Sequence, residues 1–350
     1  MAACNPDALL LRALRNEKQE RMPLWVMRQA GRYLPEYRKL RKQAGSFLNL
    51  CNSPEMACTA TLQPLRRYRL DAAIVFSDIL IVADALGCEL GFAEGEGPFL
   101  ARPAADEKMI ASLAEPGVDA FAGVAATIGA CRGELAEDVA LIGFAGAPFT
   151  LACYMVQGSG GREFALARRL MLTEPQAFAE LIDRTTRAVA ACLSAQAAAG
   201  ADVLMLFESW AALAAPHYLD EHVVKPAAKV IALLREAGID LPIIVFPRNA
   251  EQVAGKMVAA GANAIGVGWQ ADLVEVRAAV GEQTALQGNL DPAALLADRE
   301  TLRSAIARTV AAHGTGAGGR IFNLGHGIGK ETDPESMAIL VDAVREFSAC

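Results

Sequence analysis

Eight short apolar runs, separated by longer segments with helical spacing, constrain the fold of this chain more than any other feature. Runs rich in Val, Ile, Leu and Phe are typical of parallel strands that are covered on both faces. Eight strands that alternate with helices indicate an α/β fold, either a (β/α)8 (TIM) barrel or a doubly wound sheet, and the count favours the barrel. The predicted strands are Pro23–Met27, Ala72–Phe76, Ala140–Ala145, Asp202–Phe207, Leu241–Phe246, Asn263–Val267, Thr284–Gln287 and Arg320–Leu324.

A single barrel domain is predicted to span residues 1–350. No stretch has the composition of an interdomain linker, and α/β barrels commonly exceed about 200 residues as one domain. Residues 87–103, which are rich in Gly, Glu and Pro, follow the second predicted strand. They are predicted to form a short hairpin-like insertion in the barrel.

Composition and charge exclude several classes of protein. With 53% hydrophobic and 21% charged residues, the chain can bury a large core. The net charge of −7 argues against a nucleic-acid partner. The charge-free stretch 188–201 is too short to span a membrane. None of the eight cysteines forms CxxC or has zinc-ligand spacing, which predicts reduced thiols in a cytoplasmic protein and no bound metal.

Functional residues of a barrel lie at the carboxyl ends of its strands, so the residues directly after the predicted strands are candidates for a site. Polar residues also follow strands for purely structural reasons, so each candidate keeps a structural alternative. The candidates are Arg28, Ser77, Asp78, Gly146–Pro148, Glu208, Ser209, Pro247, Arg248, Gly268, Trp269, Gly288, Asn289, Gly325 and His326.

Arg28 and Arg32 lie in a strongly basic segment, because residues 28–42 include six basic residues and one acidic residue, Glu36. Each guanidinium offers a planar fork of N–H donors that fits a carboxylate or a phosphate. In an acidic chain this segment creates a local positive field. We therefore favour anion binding by Arg28 and Arg32 over a solvated helix face.

Asp78 is an isolated carboxylate between apolar segments, and such a group is costly to bury unless it accepts hydrogen bonds. Two sources of these hydrogen bonds are open. Asp78 either caps the next helix or accepts N–H donors and stabilises a cation in a ligand. Tyr154 can supply a phenolic hydrogen bond, and His326, which lies between two glycines, can bind a carboxylate or transfer a proton. Ser209 has neither an adjacent base nor a GxSxG motif, so it is not predicted to be a nucleophile.

Two patterns that suggest cofactors do not have the required context. Residues 314–319 match GxGxxG, but they follow a predicted helix and precede a strand, the reverse of the dinucleotide-binding arrangement. His217 and His222 are five residues apart and do not share a helical face, so they are not predicted to bind a metal.

Six segments of the chain resemble, in order, the motifs of the uroporphyrinogen decarboxylase family. The resemblance extends from about Pro23 to Glu335, and its first segment is long and specific. The segments are PLWVMRQAGRYLPEY (23–37), FSDIL (76–80), GFAGAPFTL (143–151), FESW (207–210), QGNLDP (287–292) and FNLGHGI (322–328).

This resemblance implies a (β/α)8 barrel that acts as a cytoplasmic homodimer in haem and tetrapyrrole biosynthesis. It implies conversion of uroporphyrinogen III to coproporphyrinogen III by loss of CO2 from four acetate side chains, with no metal and no organic cofactor. It also implies that Arg28 and Arg32 bind substrate carboxylates and that Asp78 accepts the pyrrole N–H groups. The implied catalytic residues are Asp78, Arg28, Arg32 and Tyr154, and the implied binding residues are Arg28, Gln29, Ala30, Gly31, Arg32, Asp78, Tyr154, Phe207, Ser209 and His326.

The chemistry of decarboxylation agrees with this resemblance. A pyrrole protonated beside its acetate is a cationic electron sink, and a carboxylate fixed near the pyrrole nitrogens stabilises that cation. An ionised Asp78 is predicted to have this role, whereas the proton donor stays open between Arg28, Tyr154 and a substrate carboxyl group.

Two other functions stay open. A corrinoid or thiol methyltransferase barrel needs zinc held by His and Cys, yet no cysteine follows Ser209 until Cys350. A non-catalytic porphyrinogen carrier needs the basic pocket but not Asp78.

Overall fold

The computed structural model describes residues 4–93, 97–161, 163–315 and 319–349. Within these ranges the strands are β1 Ala72–Ile74, β2 Leu90–Ala93, β3 Gly97–Leu100, β4 Ala140–Gly146, β5 Val203–Glu208, β6 Ile243–Pro247, β7 Ala264–Gly266, β8 Ala285–Leu290 and β9 Arg320–Leu324. The helices are α1 Leu9–Leu14, α2 Pro35–Ala44, α3 Phe47–Asn52, α4 Pro54–Arg67, α5 Ile81–Ala83, α6 Glu107–Ala111, α7 Ala122–Glu134, α8 Pro148–Gln157, α9 Ala165–Thr173, α10 Pro175–Ala198, α11 Lys225–Glu236, α12 Ala254–Ala259, α13 Leu273–Val280, α14 Arg299–Ala312 and α15 Pro334–Ser348.

Seven parallel strands form the central sheet in the order β1-β4-β5-β6-β7-β8-β9. Successive strands of this sheet are joined by segments that contain helices, as parallel pairing requires. The strand interiors are buried on both faces, which explains why they are apolar throughout rather than alternating. The sheet curls, and the predicted α/β barrel-like fold is confirmed.

The first predicted strand is not a regular strand, and this is a correction to the count of eight. It forms one parallel bridge, between Leu24 and Phe322 of β9. On its other side the Asp71 amide donates to the Leu24 carbonyl at 2.9 Å, and the Leu24 amide donates to Asp71 Oδ2 at 2.8 Å. The Gln29 amide side chain donates to the Ala72 carbonyl at 3.1 Å. In this segment, side chains therefore make some of the hydrogen bonds that backbone groups make between regular strands. The segment containing Leu24 lies between β1 and β9 and so connects the two edges of the sheet.

The hairpin-like insertion after the second predicted strand is confirmed. β2 and β3 pair antiparallel, with Leu90 opposite Leu100, and residues 94–96 at their turn lie outside the described residues. Phe99 of β3 also bridges to Ser159, so the insertion reaches the glycine-rich segment after α8. Residues 316–318 of the GxGxxG stretch likewise lie outside the described part of the chain.

A separate helical turn precedes α14. Residues Pro292–Leu296 form a short 3-10 turn, and α14 begins after Asp298. The Asp298 carboxylate accepts a hydrogen bond from the Thr301 amide at 3.0 Å and so caps α14. An Asp at this position favours a new helix start over a continuous helix.

The inside of the curled sheet is filled by alternate residues of its strands. Ile142, Met205, Ile244 and Phe246 belong to one buried cluster, and the apolar side of α1 joins it. Phe144 and Phe207 pack against this cluster but keep partial exposure. Position along β4 and β5 places these two rings toward the carboxyl ends, so they form an apolar floor beneath the strand-end loops.

Two further expectations concern cysteines and membranes. Of the eight cysteines, seven lie within the described residues, and all seven are buried and free. No helix among the described residues has the length and apolar character that crossing a bilayer requires.

Candidate active site

Arg28 lies at the end of the segment that joins the sheet edges, with a left-handed backbone (φ 62°). Its exposed side chain passes over Gly327, where an added Cβ would lie 2.3 Å from Arg28 Cδ. A side chain at 327 would therefore displace the arginine. Gln29 points the other way, because its side chain is fully buried and bonds to backbone. The Gln29 side chain is therefore directed into the protein, and the binding role of Gln29 stays a prediction.

Asp78 follows β1 and remains half-buried. Its Oδ1 accepts a hydrogen bond from the Leu80 amide at 2.8 Å, which forms a turn two residues along. The helix-cap interpretation is wrong, since α5 has Leu80 at its cap position and no side-chain cap. Burial raises the pKa of Asp78, while the Leu80 amide and the charge of Arg28 oppose that rise. Asp78 is therefore a partly desolvated carboxyl group in the field of Arg28.

Tyr154, on α8, lies within electrostatic range of both residues. Burial raises the pKa of its phenol, and the charges of Asp78 and Arg28 act on it in opposite directions. Its ring packs edge-on against Phe164 (5.1 Å between centroids) and Trp210 (6.5 Å). The structure thus brings Arg28, Asp78 and Tyr154 to one region.

Glu208, the last residue of β5, is fully buried and contributes no charge to this region near neutral pH. The Thr150 hydroxyl donates to Glu208 Oε1 and accepts the Trp210 amide at 3.1 Å. Burial raises the pKa of Glu208 to about 8, although the hydroxyl and nearby backbone amides oppose the shift. Glu208 therefore links α8 to the β5 loop as a neutral acid.

Stability should depend on pH through Glu208. Its pKa rises from 4.5 to about 8 in the folded chain. Its contribution is therefore fully present below about pH 4.5 and is lost as the pH rises through about 8. We expect the unfolding free energy to fall by a few kcal/mol over this window relative to that of Glu208→Gln. Urea unfolding of both proteins at several pH values measures the difference, and identical pH profiles would contradict it.

His326 follows β9 and lies close to two arginines. Burial, Arg248 and Arg28, in that order, lower the pKa of its imidazole to about 3. It is therefore neutral near pH 7 and offers one N–H donor rather than a positive charge. Its ring stacks on Trp269 with 6.0 Å between centroids, and the Arg248 guanidinium lies 5.3 Å from the centre of that indole.

The other expected binding residues differ in placement. Phe207 is half-buried and packs edge-on against Phe144 at 5.5 Å between centroids, and Ser209 is half-buried two residues later. Ala30 and Gly31 are half-buried. Arg32 is exposed, and its charge acts on Tyr37 of α2. Arg32 thus lies on the α2 side of Arg28.

The sequence places Glu208, Arg248 and Trp269 after predicted strands but indicates no role for them. The structure shows Glu208 as a buried link and the other two as a stacked pair beside His326. Their position after predicted strands was the signal available. Their contacts with His326 could not be predicted from the sequence, because they join residues from three separate loops.

A family model described as "Uroporphyrinogen decarboxylase (URO-D)" matches residues 5–347. The chain belongs to the uroporphyrinogen decarboxylase family. A protein of Legionella pneumophila (strain Lens) named "Uroporphyrinogen decarboxylase" is 45% identical over 98% of this chain and 97% of its own length. One of the same name from Nitrosococcus oceani is 46% identical over 97% of this chain and 95% of its own length. The expected family and its carboxy-lyase class are confirmed.

A solved structure, described as a methyltransferase from Methanosarcina mazei, has the same fold. It aligns with a TM-score of 0.80 over 97% of this chain and 99% of its own, at 18% identity. At that identity the likeness shows the fold alone. Among the residues that the structure describes, no group of three or more His, Cys, Asp or Glu side chains is arranged to hold a metal ion.

Proposed function

We propose that this chain removes CO2 from the four acetate side chains of uroporphyrinogen III and releases coproporphyrinogen III. One observation carries the proposal: Asp78 is a half-buried carboxyl group near Arg28 and Tyr154 at the carboxyl end of the strands. Membership of the uroporphyrinogen decarboxylase family supports it.

Asp78 is better placed than the other strand-end acids to meet a ligand. Glu208 is fully buried and neutral near pH 7. Glu251 accepts hydrogen bonds from the Gly268 amide at 3.0 Å and the Asn249 amide at 3.3 Å. Asp78 accepts one amide on Oδ1, and among the described residues no hydrogen bond reaches its Oδ2. That oxygen is available to pyrrole N–H groups.

The proposed reaction uses Asp78 to stabilise positive charge. A proton added to a pyrrole carbon makes the ring cationic. The bond to the acetate carboxylate then breaks, its electron pair enters the ring, and CO2 leaves. The resulting methylene carbon takes a proton to become methyl, and the ring loses the proton it gained. An ionised Asp78 beside the nitrogens interacts strongly with this cation, because the partly desolvated site screens charge poorly.

The substrate carries eight carboxylates, which favours the arginines as binding groups. Arg28 and Arg32 are proposed to bind carboxylates through their planar forks. Tyr154, Ser209 and neutral His326 are proposed to add hydrogen bonds, with the Ala30–Gly31 backbone beside them and Phe207 beneath the ring. Tyr154 carries a phenolic proton close to Asp78, whereas Arg28 is exposed and suits ion pairing better than proton transfer.

We also propose one barrel domain over residues 1–350, acting as a cytoplasmic homodimer without a cofactor. Seven buried, free cysteines fit a reducing compartment. Sedimentation equilibrium of the full chain tests the dimer.

Incubation of chelator-treated protein with anaerobically prepared uroporphyrinogen III tests the reaction. Products are oxidised and separated by their number of carboxylates. We expect conversion to the four-carboxylate product, with activity unaffected by added zinc. Unchanged substrate would contradict the proposed function, and decarboxylation that requires added zinc would contradict the proposed absence of a cofactor.

A further inference from the structure

Arg248 directly follows β6, which is the third strand along the sheet from β1, the strand that precedes Asp78. Its backbone is fixed there, because its amide donates to the Glu208 carbonyl at 3.1 Å. Its side chain is half-buried, and its guanidinium lies over the Trp269 indole at 5.3 Å. A cation–π contact with an indole restrains the guanidinium and leaves its N–H groups available to donate.

Trp269 itself is held by close contact with the end of β9. A Cβ added at Gly325 would lie 2.1 Å from the Trp269 backbone nitrogen, so the two backbones touch. His326, the residue after Gly325, also contacts Trp269, because its ring stacks on the indole. Arg248, Trp269 and His326 therefore form a preorganised row, which we call the β6–β9 wall.

Within the described part of the chain, Arg248 of the β6–β9 wall forms no ion pair with a carboxylate. The ion pairs among the described residues include neither Arg248 nor Arg28, and the buried Nε of Arg248 has no hydrogen-bond partner. Glu251, whose charge acts on Arg248, already accepts two backbone amides. Burial and then the like charge of Arg28 lower the pKa of Arg248. An anion between these groups would relieve that repulsion.

We propose that the β6–β9 wall is a carboxylate-binding subsite in which Arg248 holds a side-chain carboxylate that the reaction retains. This inference rests on the proposed function and specifies how the macrocycle is oriented. With pyrrole N–H groups on Asp78, peripheral carboxylates extend toward the surrounding loops, and Arg248 faces them from β6.

The charge change during reaction indicates which carboxylate Arg248 binds. A carboxylate that leaves as CO2 loses its charge in the transition state. An ion pair to it would stabilise the substrate more than the transition state and would slow the reaction. An ion pair to a retained carboxylate is equally strong in both states, so it contributes binding and orientation without this penalty. Arg248 is thus a specificity residue rather than the catalytic acid.

The test compares substrate and product. Arg248→Gln should raise the KM for uroporphyrinogen III by roughly 10- to 100-fold, the usual range for loss of a charge-assisted hydrogen bond. It should raise the inhibition constant of coproporphyrinogen III by a similar factor, because the product keeps that carboxylate, and should change kcat by much less. Arg248→Lys should recover part of the affinity, since it keeps the charge but loses the planar fork.

Arg303→Gln is the matched control, because Arg303 also stacks on an aromatic ring (Phe347, 4.9 Å) but lies on α14 and pairs with Glu346. It should leave both constants unchanged, and circular dichroism should show both variants folded. An unchanged inhibition constant for coproporphyrinogen III in a folded Arg248→Gln would overturn the proposal. Failure of the wild-type protein to turn over would instead reject the proposed function.

Discussion

Asp78→Asn is expected to lower kcat by about 100- to 1,000-fold, the usual loss when a preorganised group that stabilises transition-state charge is removed. Asn keeps the size of the side chain and an oxygen that can accept the Leu80 amide, now 2.8 Å from Asp78 Oδ1. It lacks the negative charge that the protonated pyrrole requires. Steady-state rates with anaerobic uroporphyrinogen III measure the loss, and binding of coproporphyrinogen III should change by far less than kcat.

Asp84→Asn is the control for this substitution. Asp84 also accepts one backbone amide, that of Leu90 at 2.8 Å, but its side chain is exposed and precedes the hairpin insertion. It should keep kcat within about twofold, as surface substitutions away from special features usually change little. If Asp78→Asn were as active as Asp84→Asn, the Asp78 charge would have no electrostatic role in the reaction.

Asp71→Ala is expected to lower the free energy of unfolding by about 3 kcal/mol, the lower end of the range for breaking a buried ion pair. Asp71 is 8% exposed, and its two oxygens bind the Arg21 guanidinium at 2.6 and 2.7 Å. The same carboxylate accepts the Leu24 amide. The substitution leaves Arg21 unpaired and releases the segment that joins β1 to β9. Urea unfolding monitored by circular dichroism measures the loss.

Glu36→Gln provides the comparison, because Glu36 also binds an arginine through both oxygens, Arg67 at 2.8 and 2.9 Å. That pair is much more exposed to solvent, and exposed ion pairs usually contribute below about 1 kcal/mol. A loss from Asp71→Ala no larger than that from Glu36→Gln would show that connection of the sheet edges does not depend on the Asp71 carboxylate.

All eight runs were predicted to be strands, and the structure confirms seven of them but not the segment before Arg28. Runs such as 140–145 and 202–207 are apolar because their strands are buried on both faces, and this signal depends on composition alone. The segment containing Leu24 has the same composition. Its backbone instead bonds partly to the side chains of Asp71 and Asn323, which are distant in sequence. Composition carries no information about such partners.

The candidate active site was also predictable from the sequence only in part. Position after a strand was enough to select Arg28, Asp78 and His326, because parallel strands direct their carboxyl ends to one side. It did not reveal that Glu208 is a neutral acid, because its pKa depends on complete burial and on Thr150 from another element. Nor did it reveal that the Gln29 side chain turns away, although Gln29 follows Arg28 directly.

The sequence by itself therefore determined the strand and helix pattern, the family, and which residues follow the strands, since all three depend on the order of residues along the chain. Only the tertiary structure decided which of these residues share an environment. Stacking of Arg248, Trp269 and His326, and the pKa shifts of Asp78 and Glu208, arise from loops brought together by the curled sheet. Burial and electrostatic interaction depend on the distances between residues in space, and these distances are not specified by separation along the chain.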